Sequence, residues 1–218
     1  EHMRTWLITG CSTGIGSGIA KAVLHSGDQA VVTARDISKI QEFETEYPDT
    51  CAALPLDLTD ESSMENAVKE AYSRFGKIDV LVNNAGYGYR AAIEESEDEE
   101  IDLLFRTNVF GPAKLMNLCL PKMREEKTGI IINVSSIGAV RAAVGNGFYS
   151  ASKAALELVS DAVEKETEHL GIKVMIVEPG AFRTSFYDSL HGASQAISDY
   201  TPSVGSMRLE NMVNNHDQ

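Results

Sequence analysis

Tyr149 and Lys153 stand four residues apart in Tyr149-Ser150-Ala151-Ser152-Lys153. On a helix, positions i and i+4 share one face. A free tyrosine titrates near ~10, too high to exchange a proton readily at neutrality. An ammonium one turn away stabilises the phenolate and brings that value down. The hydroxyl of Ser136 follows the apolar run Gly129–Val134 and is placed to hydrogen-bond a carbonyl oxygen that such a tyrosine would protonate. Together these residue types make a device for moving a proton on and off a carbonyl or alcohol. Tyr-x-x-x-Lys also occurs on ordinary solvated helices, so the pair takes its meaning from its company along the chain.

Those side chains need elements to hold them. Gly129–Val134 reads as a buried strand, and Ala154–Val159 opens the helix after the tyrosine. Further strands are expected at Trp6–Ile8, Ala30–Thr33, Cys51–Leu56, Ile78–Val82 and Ile172–Val177. Helices fall between them. One runs through Ile19 to Leu24 and stops near Ser26-Gly27, a second spans Ile37 to Tyr47 ahead of Pro48, and a third runs from a cap at Thr59 or Asp60 to Phe75-Gly76. This alternation predicts an α/β fold, a Rossmann-type doubly wound parallel sheet in three layers, as a single domain over 3–218. Ligands on such sheets bind beyond the carboxyl ends of the strands, which is where the unusual residues sit.

Ser96 with Glu99 reads as a capping box for the next helix, and the acidic run Glu94–Glu100 suits that helix's positive end. The helix continues to about Met123, with Asn108 in its middle and a bend expected at Gly111-Pro112. Beyond Thr184 the pattern loosens. Phe186, Tyr187, Leu190, Ile197 and Tyr200 lie among Gly, Ser and Asp, which leaves two readings open, a lid over an apolar ligand or an irregular subdomain.

Thr9-Gly10-Cys11-Ser12-Thr13-Gly14-Ile15-Gly16 joins the first strand to the first helix. Gly10, Gly14 and Gly16 allow a tight turn with close backbone approach, and the helix amino end offers N–H groups to a pyrophosphate. The spacing differs from G-x-G-x-x-G, and there is no P-loop lysine. Arg35 lies just past the second strand, where an NAD site would place an acid for the ribose 2′-hydroxyl. An arginine there pairs with a 2′-phosphate and stacks on adenine. NADP(H) is therefore expected over NAD(H), with the adjacent Asp36 as the complication and a plain surface arginine as the alternative.

The net charge of −13 over 218 residues argues against nucleic acid and against an anionic membrane. A solvated acidic surface accounts for most of it. No apolar run reaches the length of a membrane span, and no signal-peptide pattern opens the chain. Cys11, Cys51 and Cys119 are scattered and odd in number, which suits a reducing cytoplasm better than a disulfide framework. The five histidines have no metal-ligand spacing, so no metal is expected. Glu1 and His2, ahead of Met3, are set aside as an expression remnant.

Taken in order, Thr9-Gly10-x-x-x-Gly14-x-Gly16, Asp57, Asn83-Asn84-Ala85-Gly86, Asn108, Ser136, Tyr149-x-x-x-Lys153 and Pro179-Gly180 with Thr184 resemble the short-chain dehydrogenase/reductase family over about Met3 to Phe186. Cys11, Tyr87-Gly88 and Glu178–Thr184 are similar to a bacterial subgroup that itself resembles 17β-hydroxysteroid and retinol dehydrogenases. The resemblance implies an NADP(H)-dependent oxidoreductase that interconverts a carbonyl and an alcohol. It implies Tyr149 as general acid/base and Lys153 as the group that lowers its pKa and binds the nicotinamide ribose. Ser136, thirteen positions before the tyrosine and so preferred to Ser135, would orient the substrate oxygen. Asn108 would hold a water linking Lys153 to solvent, or serve as a buried structural amide.

For the cofactor, the resemblance implies Gly10, Ser12, Thr13, Gly14, Ile15 and Gly16 around the pyrophosphate, and Asp57 and Leu58 at the adenine. Asn84, Ala85 and Gly86 would line the adenine ribose, with Pro179, Gly180 and Thr184 at the nicotinamide. It further implies a homodimer or homotetramer through the helices containing Leu103–Met123 and Ala154–Leu170. Residues 139–148, 87–91 and 185–200 are expected to line an apolar pocket that leaves steroid, retinoid and aryl ketones open. Family members usually continue past Thr201–Val213 into a further strand and helix, so a C-terminal sheet strand is expected to be missing from the substrate-loop region 185–218. Two other functions remain in view. One is a cofactor-binding regulator that senses redox state without turnover, whose members usually lose the tyrosine or lysine. The other is an epimerase on the same scaffold.

Overall fold

The fold is described from a computed structural model, which covers residues 2–180 and 190–206. The apolar runs become strands: β1 (Thr5–Ile8), β2 (Gln29–Ala34), β3 (Cys51–Pro55), β4 (Val80–Asn83), the short β5 (Tyr89–Arg90), β6 (Gly129–Val134), β7 (Ile172–Val177) and the short β8 (His191–Gly192). Six of them form one parallel sheet in the order β3-β2-β1-β4-β6-β7. β5 and β8 pair in parallel by themselves. The sequence order reverses at the β1–β4 pair, and the loops leaving those two strands open the crevice where such sheets bind ligands.

Parallel strands are covered on both faces, so successive side chains feed two cores. Leu7, Val31, Leu81 and Ile131 point to one face, against Ala67 and Val68 of α3 (Glu61–Phe75) and Leu115 and Met116 of α5 (Gly111–Glu126). Their neighbours Ile8, Val32 and Val82 point to the other, against Ala20 and Leu24 of α1 (Gly14–His25). The result is the three-layered α/β sheet that the alternation predicts. Asp60 caps α3 by accepting from the N–H groups of Ser62 (3.0 Å) and Ser63 (3.4 Å), and Gly76, at φ 76°, closes it.

Four local expectations are corrected. The helix expected over Ile37–Tyr47 is two pieces, a 3-10 turn at Ile37–Lys39 and α2 (Gln41–Glu46). Ile40 lies between them with no exposed surface, and its burial beneath α1 breaks the helical run. The Ser96–Glu99 capping box does not form. α4 (Asp98–Phe105) starts after Glu97, and the Ser96 hydroxyl donates to the Ala92 carbonyl at 2.8 Å. The irregularity expected at Gly111-Pro112 comes one turn earlier, as a π-turn over Arg106–Phe110 between α4 and α5. Pro112 follows directly, at the second position of α5, and cannot donate the next backbone bond of this continuous helical run. Finally, α6 (Gly147–Thr167) opens at Gly147 and not at Ala154.

A buried polar chain ties sheet to helix. Asn83 Nδ2 donates to Asn133 Oδ1 (2.9 Å), Asn133 Nδ2 donates to Ser160 Oγ (2.7 Å), and Ser160 Oγ donates to the Leu156 carbonyl (2.6 Å). It links β4, β6 and α6 in one stroke. Among the described residues, no strand pairs with the outer side of β7, and Met175, Ile176 and Val177 are partly exposed there.

Candidate active site

The turn after β1 is built to bring backbone to a ligand. Gly10 and Gly14 adopt φ 67° and 60°, which residues with a side chain rarely adopt. Thr9, fully buried, staples this turn to the loop after β4. Its Oγ1 accepts from the N–H groups of Asn84 and Ala85, both at 3.0 Å. Asn84 Nδ2 returns two bonds, to the carbonyls of Thr9 and Gly10, both at 3.2 Å. Gly16 packs against the same turn; a Cβ there would lie 2.1 Å from the Gly10 carbonyl oxygen. Thr13 at the start of α1 makes no side-chain cap, so the helix's amino end keeps donors for an anion. Ser12 and Ile15 are half-buried on this turn, and Thr13 is exposed.

The two residues expected to bear on cofactor choice, Arg35 and Asp36, differ in their surroundings. Arg35 is exposed past the end of β2. Asp36 is occupied: its Oδ1 accepts from Ser38 Oγ (2.6 Å) and Ser38 N (3.0 Å), and these bonds hold its carboxyl below the usual range. The acid that complicates the sequence pattern is thus the cap of the Ile37–Lys39 turn. After β3, the neighbour of β2, Asp57 accepts from Thr59 N (2.9 Å) and Thr59 Oγ1 (2.7 Å). Burial works to raise the Asp57 carboxyl, but the Thr59 bonds and the cations of Arg35 and Arg106 outweigh it and hold it low. Leu58 is buried beside it, and Gly111 makes room for it, since a Cβ there would meet Leu58 Cβ at 2.7 Å.

The early start of α6 puts Tyr149 in its first turn and Lys153 in its second. Tyr149 is 8% exposed and packs with Tyr89, Ala91 and Leu104. Lys153 is 5% exposed, and its ammonium donates to the Val134 carbonyl at 3.3 Å. Burial pushes its pKa down to about 8. Ser136 caps the turn Ile137–Ala139, accepting from Gly138 N at 3.1 Å, and stays half-buried while Ser135 is buried. A Cβ on Gly138 would lie 3.4 Å from Ser136 Oγ and 3.8 Å from Tyr149 Cε1, so both border the same small space. Gly86 plays the same part for Asn108 and Lys153: a Cβ there would lie 3.0 Å from Asn108 Oδ1 and 3.3 Å from Lys153 Nζ. Asn108 is fully buried by the π-turn. Its Oδ1 accepts from Tyr87 N (3.2 Å), and its Nδ2 donates to Tyr87 O (3.0 Å) and Ser152 Oγ (3.2 Å).

The buried ammonium carries a stability signature. An unfolded lysine titrates near 10.5 and this one at about 8. Below pH 8 both states are protonated and the folded state bears the whole desolvation penalty. As pH rises from 8 to 10.5 the folded state sheds its proton first and the deficit fades. At about 1.4 kcal/mol per pH unit, the deficit at neutrality is on the order of 3 kcal/mol. Lys153→Met, which strands only the Val134 carbonyl, should be the more stable protein at pH 7, by about 2 kcal/mol or about 4–8 °C in Tm. The gap should narrow toward pH 10. Thermal denaturation across that range checks it, and a destabilised Lys153→Met at pH 7 would contradict it.

The sequence-predicted residues of the glycine turn, the Asn84-Ala85-Gly86 loop, Asn108, Ser136, Tyr149 and Lys153 thus face one crevice beyond the strand ends. Pro179, half-buried, and Gly180, exposed, follow β7. Thr184, Phe186 and Tyr187 lie outside the described residues. Two supporting residues were given no role by the sequence. Thr9 entered only as the first residue of the glycine motif. Ser152 accepts from Asn108 and donates to the Tyr149 carbonyl at 2.7 Å, and nothing in its spacing marks it. The site fits a dinucleotide on its own geometry. It has an uncapped helix start behind two left-handed glycines, a missing Cβ at Gly86 beside the lysine, and an ammonium whose one hydrogen-bond partner among the described residues is the Val134 carbonyl.

A sequence model described as short chain dehydrogenase matches residues 4–194. The chain is 39% identical over 187 residues to a 3-ketodihydrosphingosine reductase of Bacteroides thetaiotaomicron, which covers 84% of this chain and 65% of that protein. It is 33% identical over 204 residues to oxidoreductase BOA17 of Botryotinia fuckeliana, covering 93% and 74%. Among solved structures, a short-chain dehydrogenase from Streptomyces avermitilis superposes with a TM-score of 0.90 at 40% identity, over 96% of this chain and 77% of that one. A metagenomic short-chain oxidoreductase in complex with NADP gives 0.77 at 30% identity, over 83% of each chain. A 3-ketoacyl-(acyl-carrier-protein) reductase from Brucella melitensis complexed with NADH gives 0.82 at 32% identity, over 86% and 79%.

Proposed function

The chain belongs to the short-chain dehydrogenase/reductase family, and we propose that it is an NADP(H)-dependent oxidoreductase interconverting a carbonyl and an alcohol. The observation that carries this reading is the Lys153 ammonium, buried beside Asn108 and Gly86, one helical turn from Tyr149. A bound nicotinamide supplies or accepts the hydride. The chain supplies the rest. Ser136 Oγ orients the substrate oxygen, and Tyr149 gives that oxygen its proton in the reduction direction. At pH 7 Lys153 is still charged and stabilises the phenolate left behind. Ser152 and Asn108 hold the first turns of α6 against the 86–87 loop. The water relay assigned to Asn108 has one acceptor position left, because both Nδ2 hydrogens are engaged by the protein.

A regulator without turnover has no use for a buried lysine behind a tyrosine, and both are present and adjacent. NADPH consumption with a panel of ketones separates the readings. Turnover supports the oxidoreductase, cofactor binding without it supports the regulator, and substrate conversion without net NADPH use supports the epimerase. The matches carry the family and not the hydroxysteroid or retinol subgroup, so the substrate is proposed only as an apolar carbonyl. Ile137, Val140 and Val144, 61%, 75% and 49% exposed, follow Ser136 in the chain and support that class. Relatives occur with NADP and with NADH, so the preference for NADP(H) rests on this chain's Arg35 and on the engagement of Asp36. Arg35→Ala should lower the kcat/KM ratio for NADPH over NADH roughly 10–100-fold, the value of one charge-assisted contact to a phosphate. A parent enzyme that uses NADH as well as NADPH would refute the preference. Residues 3–218 are proposed to act as one catalytic domain, and the three buried, unpaired cysteines support a reducing compartment such as the cytoplasm. A homo-oligomer would pair through the helices bearing Phe110 and Leu158, 62% and 71% exposed; sedimentation equilibrium reads it.

A further inference from the structure

Asp98, Glu99 and Glu100 of the acidic run Glu94–Glu100 occupy the first turn of α4, as its position at a helix start suggests, but the run also does something else. Its carboxylates reach about a hundred residues along the chain and bind one segment. Glu97 Oε1 accepts from Ser194 N (2.8 Å) and Ser194 Oγ (2.5 Å). Glu95, 7% exposed, accepts from Ala92 N through Oε1 (2.9 Å) and from Ile197 N through Oε2 (2.7 Å). Glu94 accepts from the Tyr200 hydroxyl. Glu100 lies 3.7 Å from His191 Nδ1. The β5–β8 ladder joins Tyr89 to His191 and Arg90 to Gly192 in the same place.

What this segment covers gives the contacts their meaning. Ala193 packs on the cluster formed by Tyr89, Ala91, Leu104 and Tyr149. The His191 ring lies 4.6 Å from that of Tyr87, centroid to centroid. Farther along, Val204 is buried, and a Cβ on Gly145 would lie 3.3 Å from its Cγ1. Residues 191–204 therefore run as a strap from the loop after β4 to the loop before α6, along the wall behind the acid/base tyrosine. The strap has little core of its own, since most of it is exposed. Carboxylate bonds to backbone N–H groups are the strong kind, and here they add to the β5–β8 ladder in holding it.

We propose that Glu95 and Glu97 are positioning residues for the substrate: they hold the 191–200 strap against the Tyr89–Tyr149 wall and so shape the substrate side of the pocket, leaving the cofactor side untouched. This rests on the oxidoreductase reading above. It concerns residues 191–204 alone, which acids about a hundred residues earlier in the chain help to hold.

The test uses the full chain with NADPH and two ketones, one small and one bulky and apolar. Glu97→Ala removes the acceptor of both Ser194 bonds. Glu95→Gln keeps the side chain's size but turns an NH2 toward one of two amide N–H groups. Each variant should raise KM for the bulky ketone about tenfold, change kcat less than threefold, and leave the NADPH Kd as in the parent. The small ketone should be less affected. Amide hydrogen exchange, which needs no turnover, should speed up at Ser194 in Glu97→Ala and at Ile197 in Glu95→Gln. Unchanged exchange there overturns the anchoring. Unchanged KM beside faster exchange overturns the substrate role, and so does a loss of NADPH affinity equal to the rise in KM. A parent that turns over no carbonyl at all would instead sink the oxidoreductase reading, while the exchange experiment still decides the anchoring.

Discussion

Tyr149→Phe should lose about 10³-fold or more in kcat and keep its affinity for NADPH. The phenyl ring fills the same space against Tyr89, Ala91 and Leu104, so packing is preserved and only the hydroxyl is lost. General acid–base catalysis by a positioned side chain contributes typically about 10²–10⁴-fold. The nearby groups offer no substitute. Ser136 Oγ is an alcohol engaged with Gly138 N, and Lys153 is buried behind the tyrosine. Steady-state rates with a reducible ketone and a titration of NADPH fluorescence check both halves. Substantial residual turnover would remove Tyr149 from its role, and with it the reason for the buried lysine.

Gly16→Ala should disrupt both the fold and the cofactor turn. The added methyl would lie 2.1 Å from the Gly10 carbonyl oxygen and 2.5 Å from Asn84 Nδ2. A backbone oxygen cannot rotate away, so α1 or the turn beneath it must move and break the bonds from Asn84 to Thr9 and Gly10. Overpacking of this kind costs about 1–3 kcal/mol or more, about 2–10 °C in Tm for a chain this size. The NADPH Kd should rise at least tenfold, because the displaced turn is the one proposed to meet the pyrophosphate. Gly18→Ala is the control on the same helix. Nothing lies within 4 Å of a Cβ there, and exchanging glycine for alanine inside a helix stabilises by about 0.5–1 kcal/mol. Equal stability of the two variants would show that the turn tolerates what its geometry forbids.

The sheet was legible because buried parallel strands are continuous apolar runs. Gly129–Val134 and Ile172–Val177 read to the residue, and the glycine turn and the Asn-Asn-Ala-Gly loop announced the crevice by type and spacing. The errors have a common physics, namely contacts between segments far apart in sequence. Ile40 breaks a helix because the core beneath α1 takes its side chain. Ser96 and Glu99 look like a local capping box, but the neighbouring carboxylates are held by amides near residue 195. Asn146 is a residue type that often caps a helix but was not read as one, and in the structure it starts α6 without a side-chain cap bond. The bend was expected at Gly111-Pro112, just past Asn108, and the irregularity falls on Asn108 itself. That it would be a π-turn, with its amide closed on Tyr87 and Ser152, depends on a loop no local pattern describes.

The chain of amides from Asn83 through Asn133 to Ser160 has a consequence for the chemistry at the other end of α6. Ser160 lies seven residues beyond Lys153, two turns along the same stripe of the helix. Its hydroxyl must meet Asn133 at the sheet's midline, so it acts as an indexing pin: α6 can neither roll nor slide without stranding a dry amide. The bearing of phenol and amine toward the crevice is thereby set from a point well away from any ligand, by a notch cut into the middle of the scaffold.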